Sequence, residues 1–102
     1  MSEWVQVGRV GDTAPGRGKV VTVGERRLAL FEDDGRYRVL DDTCPHQGAS
    51  LGEGSSFRGT VICPWHSWSF DLKTGGCHEA PTFQVRSYPV RVVHGAIEAD
   101  LA

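Results

Sequence analysis

Apolar and polar residues alternate along both ends of the chain, which is the pattern of β-strands with one buried face. The alternating segments are residues 4–7, 19–23, 26–31 and 36–40 in the first part, and residues 88–93 and 96–101 in the last part. Turns are expected between neighbouring segments at Gly24-Glu25, residues 32–35 and His94-Gly95. Since no segment keeps the 3.6-residue period of an amphipathic helix, the pattern predicts an all-β fold with antiparallel strands.

The middle of the chain differs in composition and shows little alternation. Between residues 43 and 81, Gly, Pro, Ser and His are frequent, and only residues 60–63 and 68–71 resemble short strands. Residues 73–76, Lys-Thr-Gly-Gly, are expected to turn the chain. This stretch therefore predicts a loop-rich insertion between two strand-forming parts.

Length and composition fit a single domain. The chain has 102 residues, of which 39% are hydrophobic, 13 are glycine and 5 are proline. A chain of this length buries roughly two thirds of its unfolded surface, and the glycines and prolines suit many turns. We expect one domain over residues 1–102, with an antiparallel sandwich or barrel base from residues 1–42 and 82–102 and a smaller inserted subdomain over about 43–81.

The charge balance excludes some partners. The chain carries 11 basic and 13 acidic residues, a net charge of −2, and they are spread along the sequence. Because no basic patch is visible in the sequence, binding to nucleic acid is not expected. The N-terminus has no basic segment followed by an apolar run, and the apolar stretches are too short to span a bilayer. These features predict a cytoplasmic protein without a membrane segment.

The insertion contains two cysteine–histidine pairs at short spacing. Cys44-x-His46 is followed, after sixteen residues, by Cys63-x-x-His66. An i, i+2 pair in an extended segment projects both side chains to one side, and two such loops facing each other could direct four ligands at one point. A proline follows each cysteine and reduces the entropy lost when the loops are ordered.

Two kinds of metal centre are compatible with this ligand set. Three cysteines, an odd number, in a reducing compartment favour metal binding over a disulfide framework. The four residues could hold a tetrahedral structural zinc ion. They could also hold a [2Fe–2S] cluster with both cysteines on one iron and both histidines on the other. Without a metal, the four side chains would have no packing role among so many glycines.

The residues around these pairs resemble one family. "CPHQGASLGEG" (44–54), followed by "CPWHSWSFD" (63–71), resembles the Rieske iron–sulfur family, whose pattern is C-x-H, a spacer of about this length and C-x-x-H. The likeness continues in "TGG" (74–76) and "YPVRV" (88–92), so it covers essentially the whole chain. It implies a Rieske-type β-base with a cluster-binding subdomain and one [2Fe–2S] cluster per chain. The ligands it implies are Cys44 and Cys63 on the inner iron, and His46 and His66 on the outer iron.

The same resemblance also implies a range for the reduction potential of the cluster. Two neutral imidazoles in place of two thiolates make the cluster less negative, which gives a band of roughly −150 to +300 mV. High-potential members of the family place hydroxyl groups after the second loop, where this chain has Trp68 and Phe70. They also carry a disulfide between the loops, at positions that are Ala49 and Trp65 here. We therefore expect a potential in the lower part of the band.

Electron transfer is the function that the resemblance implies. The chain shows no glycine-rich nucleotide loop and no second domain for a mononuclear iron, so we expect no catalysis of its own. The leading hypothesis is a monomeric ferredoxin that carries electrons from a flavin-containing reductase to a Rieske-type terminal oxygenase. A second hypothesis is the small subunit of an assimilatory NAD(P)H nitrite reductase, and a third is a zinc-stabilised interaction module. Partners are expected at the tip of the insertion, where Trp65 could contact them or shield the cluster.

Other conspicuous residues are expected to be structural. His78 and His94 lie in turn-like segments, and Cys77 is expected to be a small, partly buried side chain. Trp4 lies on an alternating strand and is predicted to belong to the core. The acidic run 32–34 is expected to be a solvated turn.

Overall fold

The computed structural model describes residues 1–44, 48–65 and 68–102, and within them it is built from strands. The strands are β1 (Trp4–Arg9), β2 (Lys19–Val23), β3 (Arg26–Asp33), β4 (Arg36–Asp41), β5 (Ser55–Phe57), β6 (Thr60–Ile62), β7 (Ser69–Asp71), β8 (Ser87–Tyr88), β9 (Val90–Val93) and β10 (Ala96–Asp100). One short 3-10 helix, Leu51–Glu53, follows β4. The paired strands are antiparallel, which confirms the predicted fold class. No helix of the described ranges is long and apolar enough to cross a bilayer.

The strands form three sheets. The orders are β1-β10-β9, β2-β3-β4-β8 and β5-β6-β7. The first two sheets combine strands from both ends of the chain, whereas the third uses the middle only.

The prediction of a single strand over residues 88–93 is wrong. Pro89 separates β8 from β9. Tyr88 pairs with β4, while Val90 onward pairs with β10, so the chain passes from one sheet to another at the proline. Proline has no N–H to donate, which makes it a natural point to leave a ladder.

Strand β3 is buried on both faces. Residues 28–31, Leu-Ala-Leu-Phe, are all 0% exposed. Leu28 and Leu30 pack with Ile97 in one hydrophobic cluster, and Ala29 and Phe31 pack in a second cluster with residues of the middle segment. A continuous apolar run is what a strand covered on two sides requires. β3 is therefore the wall that two cores share.

Three hairpins turn through the same two-residue geometry. The pairs Asp34-Gly35, Arg58-Gly59 and His94-Gly95 each have φ of 51° at the first residue and 76–80° at the second. Two positive φ values in succession match the twist of antiparallel strands, and glycine adopts the second at no steric cost. His94 is thus a turn residue, as expected.

Three details of the sequence-based assignment are wrong. Strand β5 was not predicted, and it pairs with β6 through a Ser-Ser-Phe segment that is too short to carry an alternating signal. Asp33 belongs to β3 rather than to a solvated turn, and its Oδ1 accepts the N–H of Gly59 at 3.0 Å. Trp4 is half-buried rather than part of the core, with the Arg91 guanidinium 4.2 Å from its ring centroid.

Gly75 allows the segment after β7 to touch the segment before β8. Its φ is +79°, and a Cβ there would lie 1.9 Å from the Val85 carbonyl oxygen. The Val85 N–H donates to the Gly75 carbonyl at 2.9 Å, and the Gly75 N–H donates to the Asp71 carbonyl at 2.7 Å. A side chain at this position would push these two backbone segments apart.

We predict that Gly75→Ala lowers the free energy of unfolding by about 2–5 kcal/mol, through left-handed strain and displacement of the backbone. Gly35→Ala is the matched control, because Gly35 has φ +76° and a Cβ added there would meet no heavy atom within 4 Å. It should cost only the strain, about 1–2 kcal/mol. Urea unfolding followed by tryptophan fluorescence measures both, and equal losses would contradict the packing argument.

Candidate metal centre

The first cysteine loop leaves the end of β4 and is closed at its base by hydrogen bonds. The Cys44 N–H donates to the Ala49 carbonyl at 2.8 Å, and the Gly48 N–H donates to the Cys44 carbonyl at 2.8 Å. Thr43 and Ser50 form an antiparallel bridge just below. The backbone on both sides of the loop is therefore fixed relative to β4.

The second cysteine loop connects β6 to β7 and is closed in the same way. The Cys63 N–H donates to the Trp68 carbonyl at 2.7 Å. Ser69 then donates its N–H to Glu79 Oε1 at 2.8 Å and its hydroxyl to Oε2 at 2.8 Å. The hydrogen bond from the Ser69 N–H, and after it the one from the Ser69 hydroxyl, lower the pKa of the Glu79 carboxyl below its usual value. Glu79 therefore ties the exit of the second loop to the segment after β7.

The two loops bring two of the predicted ligands together. Cys44 and Cys63 are each 1% exposed, belong to the same hydrophobic cluster and carry free thiols. Burial raises the pKa of the Cys63 thiol; the Trp65 N–H opposes this, and the neighbouring Cys44 side chain raises it further. Two cysteines nineteen positions apart in sequence thus share one buried point.

The two predicted histidine ligands, His46 and His66, lie outside the described residues. The same holds for Pro45, Gln47 and Ser67. Their ligand roles stay predictions.

The cysteine pair fits a centre that takes soft ligands. Thiolate sulfur selects zinc, copper(I) and iron–sulfur clusters, and a bound cation compensates the charge that burial disfavours. Cys77 is also buried, at 3% exposed, but its Sγ lies 3.7 Å from Glu79 Oε1. Cys77 therefore has a structural position, in agreement with the sequence-based expectation.

The two loops are supported by a close backbone contact at Gly54. A Cβ at this residue would lie 2.2 Å from the Ile62 carbonyl oxygen and 3.3 Å from Pro64 Cδ. Only glycine lets the end of the 3-10 helix approach the start of the second loop this closely. The relative position of the two cysteines depends on this contact.

Asp42 braces the first loop from inside the protein, a role the sequence did not reveal. It is 1% exposed, and its Oδ1 accepts the Ser50 hydroxyl at 2.9 Å and the Gly52 N–H at 2.7 Å. Its Oδ2 has no hydrogen-bond partner among the described residues but lies 3.2 Å from Arg27 Nη2. Its backbone carbonyl also accepts the Leu51 N–H at 2.7 Å. In the sequence, Asp42 is simply the second of two aspartates at a strand end, which gives no signal of burial.

Several aromatic residues lie in or next to the hydrophobic cluster that contains the cysteine pair. Phe70 is 0% exposed, and Trp68 packs against the core with its ring centroid 5.6 Å from that of Phe83. Trp65 on the second loop is 54% exposed. The thiol pair thus shares its hydrophobic cluster with Phe70 and Trp68, while Trp65 on the second loop faces solvent.

Comparisons with known proteins agree with this geometry. The family model "Rieske [2Fe-2S] domain" matches residues 3–89. The chain is 34% identical over 96 residues to the ferredoxin component of the alkene monooxygenase system of Xanthobacter autotrophicus, covering 93% of this chain and 79% of that protein.

Solved structures share the whole fold. A protein described as an NADH-dependent nitrite reductase small subunit from Mycobacterium tuberculosis superposes with a TM-score of 0.90 at 29% identity, covering 100% of this chain and 97% of that one. The ferredoxin in a complex of reduced oxygenase and oxidised ferredoxin of carbazole 1,9a-dioxygenase superposes with a TM-score of 0.84 at 30% identity, covering 93% and 99%.

We predict that Asp42→Ala lowers the free energy of unfolding by about 2–4 kcal/mol, because it leaves the buried Gly52 N–H unpaired and removes the Ser50 bond. Ser50→Ala removes only one of these bonds and should cost about 1–2 kcal/mol. Urea unfolding of the two variants side by side measures the difference. A loss for Asp42→Ala no larger than that for Ser50→Ala would show that Asp42 is not the brace.

Proposed function

The chain belongs to the Rieske [2Fe–2S] family, and we propose that it is a one-electron carrier between a flavin-containing reductase and a Rieske-type terminal oxygenase. The observation that carries this proposal is the meeting of two buried thiols, Cys44 and Cys63, in one hydrophobic cluster. The chain acts as an electron-transfer component of a multicomponent system and not as an enzyme in itself.

The proposed ligands follow the family pattern. Cys44 and Cys63 hold one iron of the [2Fe–2S] cluster, and His46 and His66 hold the other. When bound, the cluster supplies a site that accepts and releases one electron. The burial of the cysteines keeps water from the sulfur ligands. Phe70 offers no hydroxyl, which supports a potential in the lower part of the Rieske band.

In the proposed division of the domain, the metal centre belongs to an insertion that is distinct from the β-base. Residues 1–42 and 82–102 form the base with the first two sheets, and about 43–81 form the cluster-binding insertion with the third. The hydrogen bond between Asp33 and Gly59 and the shared wall β3 join the two parts. We place the protein in the cytoplasm, as a monomer between its encounters with partners.

The proposed partners are supported by two relatives in different ways. The alkene monooxygenase relative is the ferredoxin component of an oxygenase system, and the carbazole relative was solved in complex with its oxygenase. Electron-transfer contacts are generally small. Trp65 and the adjoining Pro64 offer such a surface on the second loop.

A second candidate is a small subunit of an assimilatory NAD(P)H nitrite reductase. The full-length superposition on the Mycobacterium tuberculosis protein favours it. Affinity purification of the tagged chain from its own host distinguishes the two. A stoichiometric sirohaem-containing subunit that remains bound through gel filtration would establish the nitrite reductase role, whereas a free monomer would support the carrier.

We predict that Cys44→Ser and Cys63→Ser abolish the visible absorption of the purified protein, because each removes a thiolate from the proposed cluster. Cys77→Ser is the matched control, since Cys77 is also buried and free. It should retain the absorption and an iron content of two per chain. Loss of colour in all three variants would indicate a general folding defect, and retention in all three would refute the ligand assignment.

We predict that Trp65→Ala slows electron transfer to a Rieske-type oxygenase about tenfold, the loss of one interface anchor worth roughly 1.4 kcal/mol. Stopped-flow mixing of the reduced protein with the oxidised oxygenase gives the rate. Phe57→Ala is the control, because Phe57 is 70% exposed but lies on the β5–β6 hairpin. A slower rate accompanied by a shifted midpoint potential would mean that Trp65 shields the cluster instead of contacting the partner.

A further inference from the structure

One peptide unit links the Glu79 carboxylate to the backbone of Cys63. The Ser69 N–H donates to Glu79 Oε1 at 2.8 Å, and the Trp68 carbonyl, which belongs to the same peptide unit, accepts the Cys63 N–H at 2.7 Å. Since the oxygen and nitrogen of a peptide unit are only roughly 2.3 Å apart, Glu79 Oε1 lies within about 8 Å of the Cys63 nitrogen. Hydrogen bonds in such a chain polarise one another, so the carboxylate strengthens the bond that holds Cys63.

The Glu79 carboxylate also reaches the buried thiols through Cys77. Cys77 Sγ lies 3.7 Å from Glu79 Oε1, and Cys77 shares one hydrophobic cluster with Cys44 and Cys63. The Ser69 hydroxyl donates to Glu79 Oε2 at 2.8 Å. Since Glu79 itself is exposed, its carboxylate lies where the buried cysteine cluster meets solvent.

No basic side chain of the described residues forms an ion pair with this carboxylate. The ion pairs among those residues are Lys19–Asp12, Arg27–Asp42 and Arg91–Glu98. The donors that reach Glu79 are an N–H, a hydroxyl and a thiol, all of which are neutral. The bond from the Ser69 N–H does most to lower the pKa of the Glu79 carboxyl, which is therefore negatively charged at neutral pH.

The segment that carries Glu79 is also held by its backbone. The His78 N–H donates to the Ser69 carbonyl at 2.9 Å, and Phe70 and Cys77 form an antiparallel bridge. A glutamine at position 79 would keep an oxygen that accepts the Ser69 N–H. The charge of Glu79 and its hydrogen bonds can therefore be changed separately without unpairing the backbone.

We propose that Glu79 is a positioning residue of the metal centre: it fixes the peptide unit that holds Cys63, and its negative charge lowers the reduction potential of the cluster. The first role depends on the hydrogen bonds alone, whereas the second rests on the proposed function. One-electron reduction adds a negative charge to the cluster, and a nearby carboxylate opposes that addition. Glu79 thereby contributes to a potential in the lower part of the Rieske band.

Four variants separate position from charge. Glu79→Gln keeps an acceptor for the Ser69 N–H and removes the charge, Glu79→Asp keeps the charge on a shorter side chain, and Glu79→Ala removes both. Glu32→Gln is the matched control for overall charge. Glu32 pairs in register with Tyr37, near the end of β4 that lies opposite the first cysteine loop.

The first measurement is the midpoint potential of the holoproteins, by optical redox titration at neutral pH and an ionic strength of about 0.01 M, where the screening length is about 30 Å. At the midpoint of the unmodified protein, the ratio of reduced to oxidised Glu79→Gln should be at least about threefold higher, a positive shift of about 28 mV at 59 mV per tenfold change. Glu79→Ala should shift the same way, whereas Glu79→Asp and Glu32→Gln should shift less than half as far. The shift should shrink in 1 M salt, where the screening length is about 3 Å.

The second measurement is hydrogen–deuterium exchange of the same holoproteins, followed by mass spectrometry over the peptide that contains Ser69. Glu79→Ala should speed this exchange at least about fivefold, because the Ser69 N–H loses its acceptor, and Glu79→Gln should speed it less than about twofold. If Glu79→Ala does not fold, Glu79→Asp replaces it, since a side chain shorter by one methylene moves the carboxylate away from Ser69. Exchange as slow as in the unmodified protein would overturn the positioning role.

The failure of this inference differs from the failure of the proposed function. A red-brown Glu79→Gln protein whose potential shifts no further than that of Glu32→Gln would refute the charge role alone. An unmodified protein without a reducible cluster would refute the proposed function and the charge role together.

Discussion

The burial of β3 on both faces is the constraint on which the rest of the structure depends. Its side chains Leu28 and Leu30 complete one core, and Ala29 and Phe31 complete the other. Because side chains alternate along a strand, a shift of one residue would exchange the two sets and misfit both cores. The register of β3 with β4 therefore fixes where β4 ends, and the first cysteine loop begins at that end.

Asp42 directly follows β4 and connects this strand to the chain beyond the first cysteine loop. A buried carboxylate must be paired, and here its bonds to Ser50 and Gly52 fold the loop back toward β4. The 3-10 helix that follows reaches the start of the second loop at Gly54. The backbone at Cys44 and at Cys63 is thereby held in place, which metal ligation requires.

Much of the fold follows from local sequence, and the exceptions have physical reasons. The limits of β2 and the turn at His94-Gly95 are visible as alternation and turn chemistry. β5 is not visible, because its three residues acquire strand structure only by pairing with β6. The meeting of the two cysteines could be predicted from their spacing, whereas the bonds of Asp42 depend on how the chain after β4 folds back on it.

The central claim is that the two cysteine–histidine loops hold one mixed-ligand [2Fe–2S] cluster. Continuous-wave and pulsed EPR of the dithionite-reduced protein at low temperature test it most directly. The expected result is a rhombic signal with average g below that of the free electron, and couplings from two histidine nitrogens. A colourless, EPR-silent protein with about one zinc ion per chain, bound by the same tetrahedral ligand set, would contradict it.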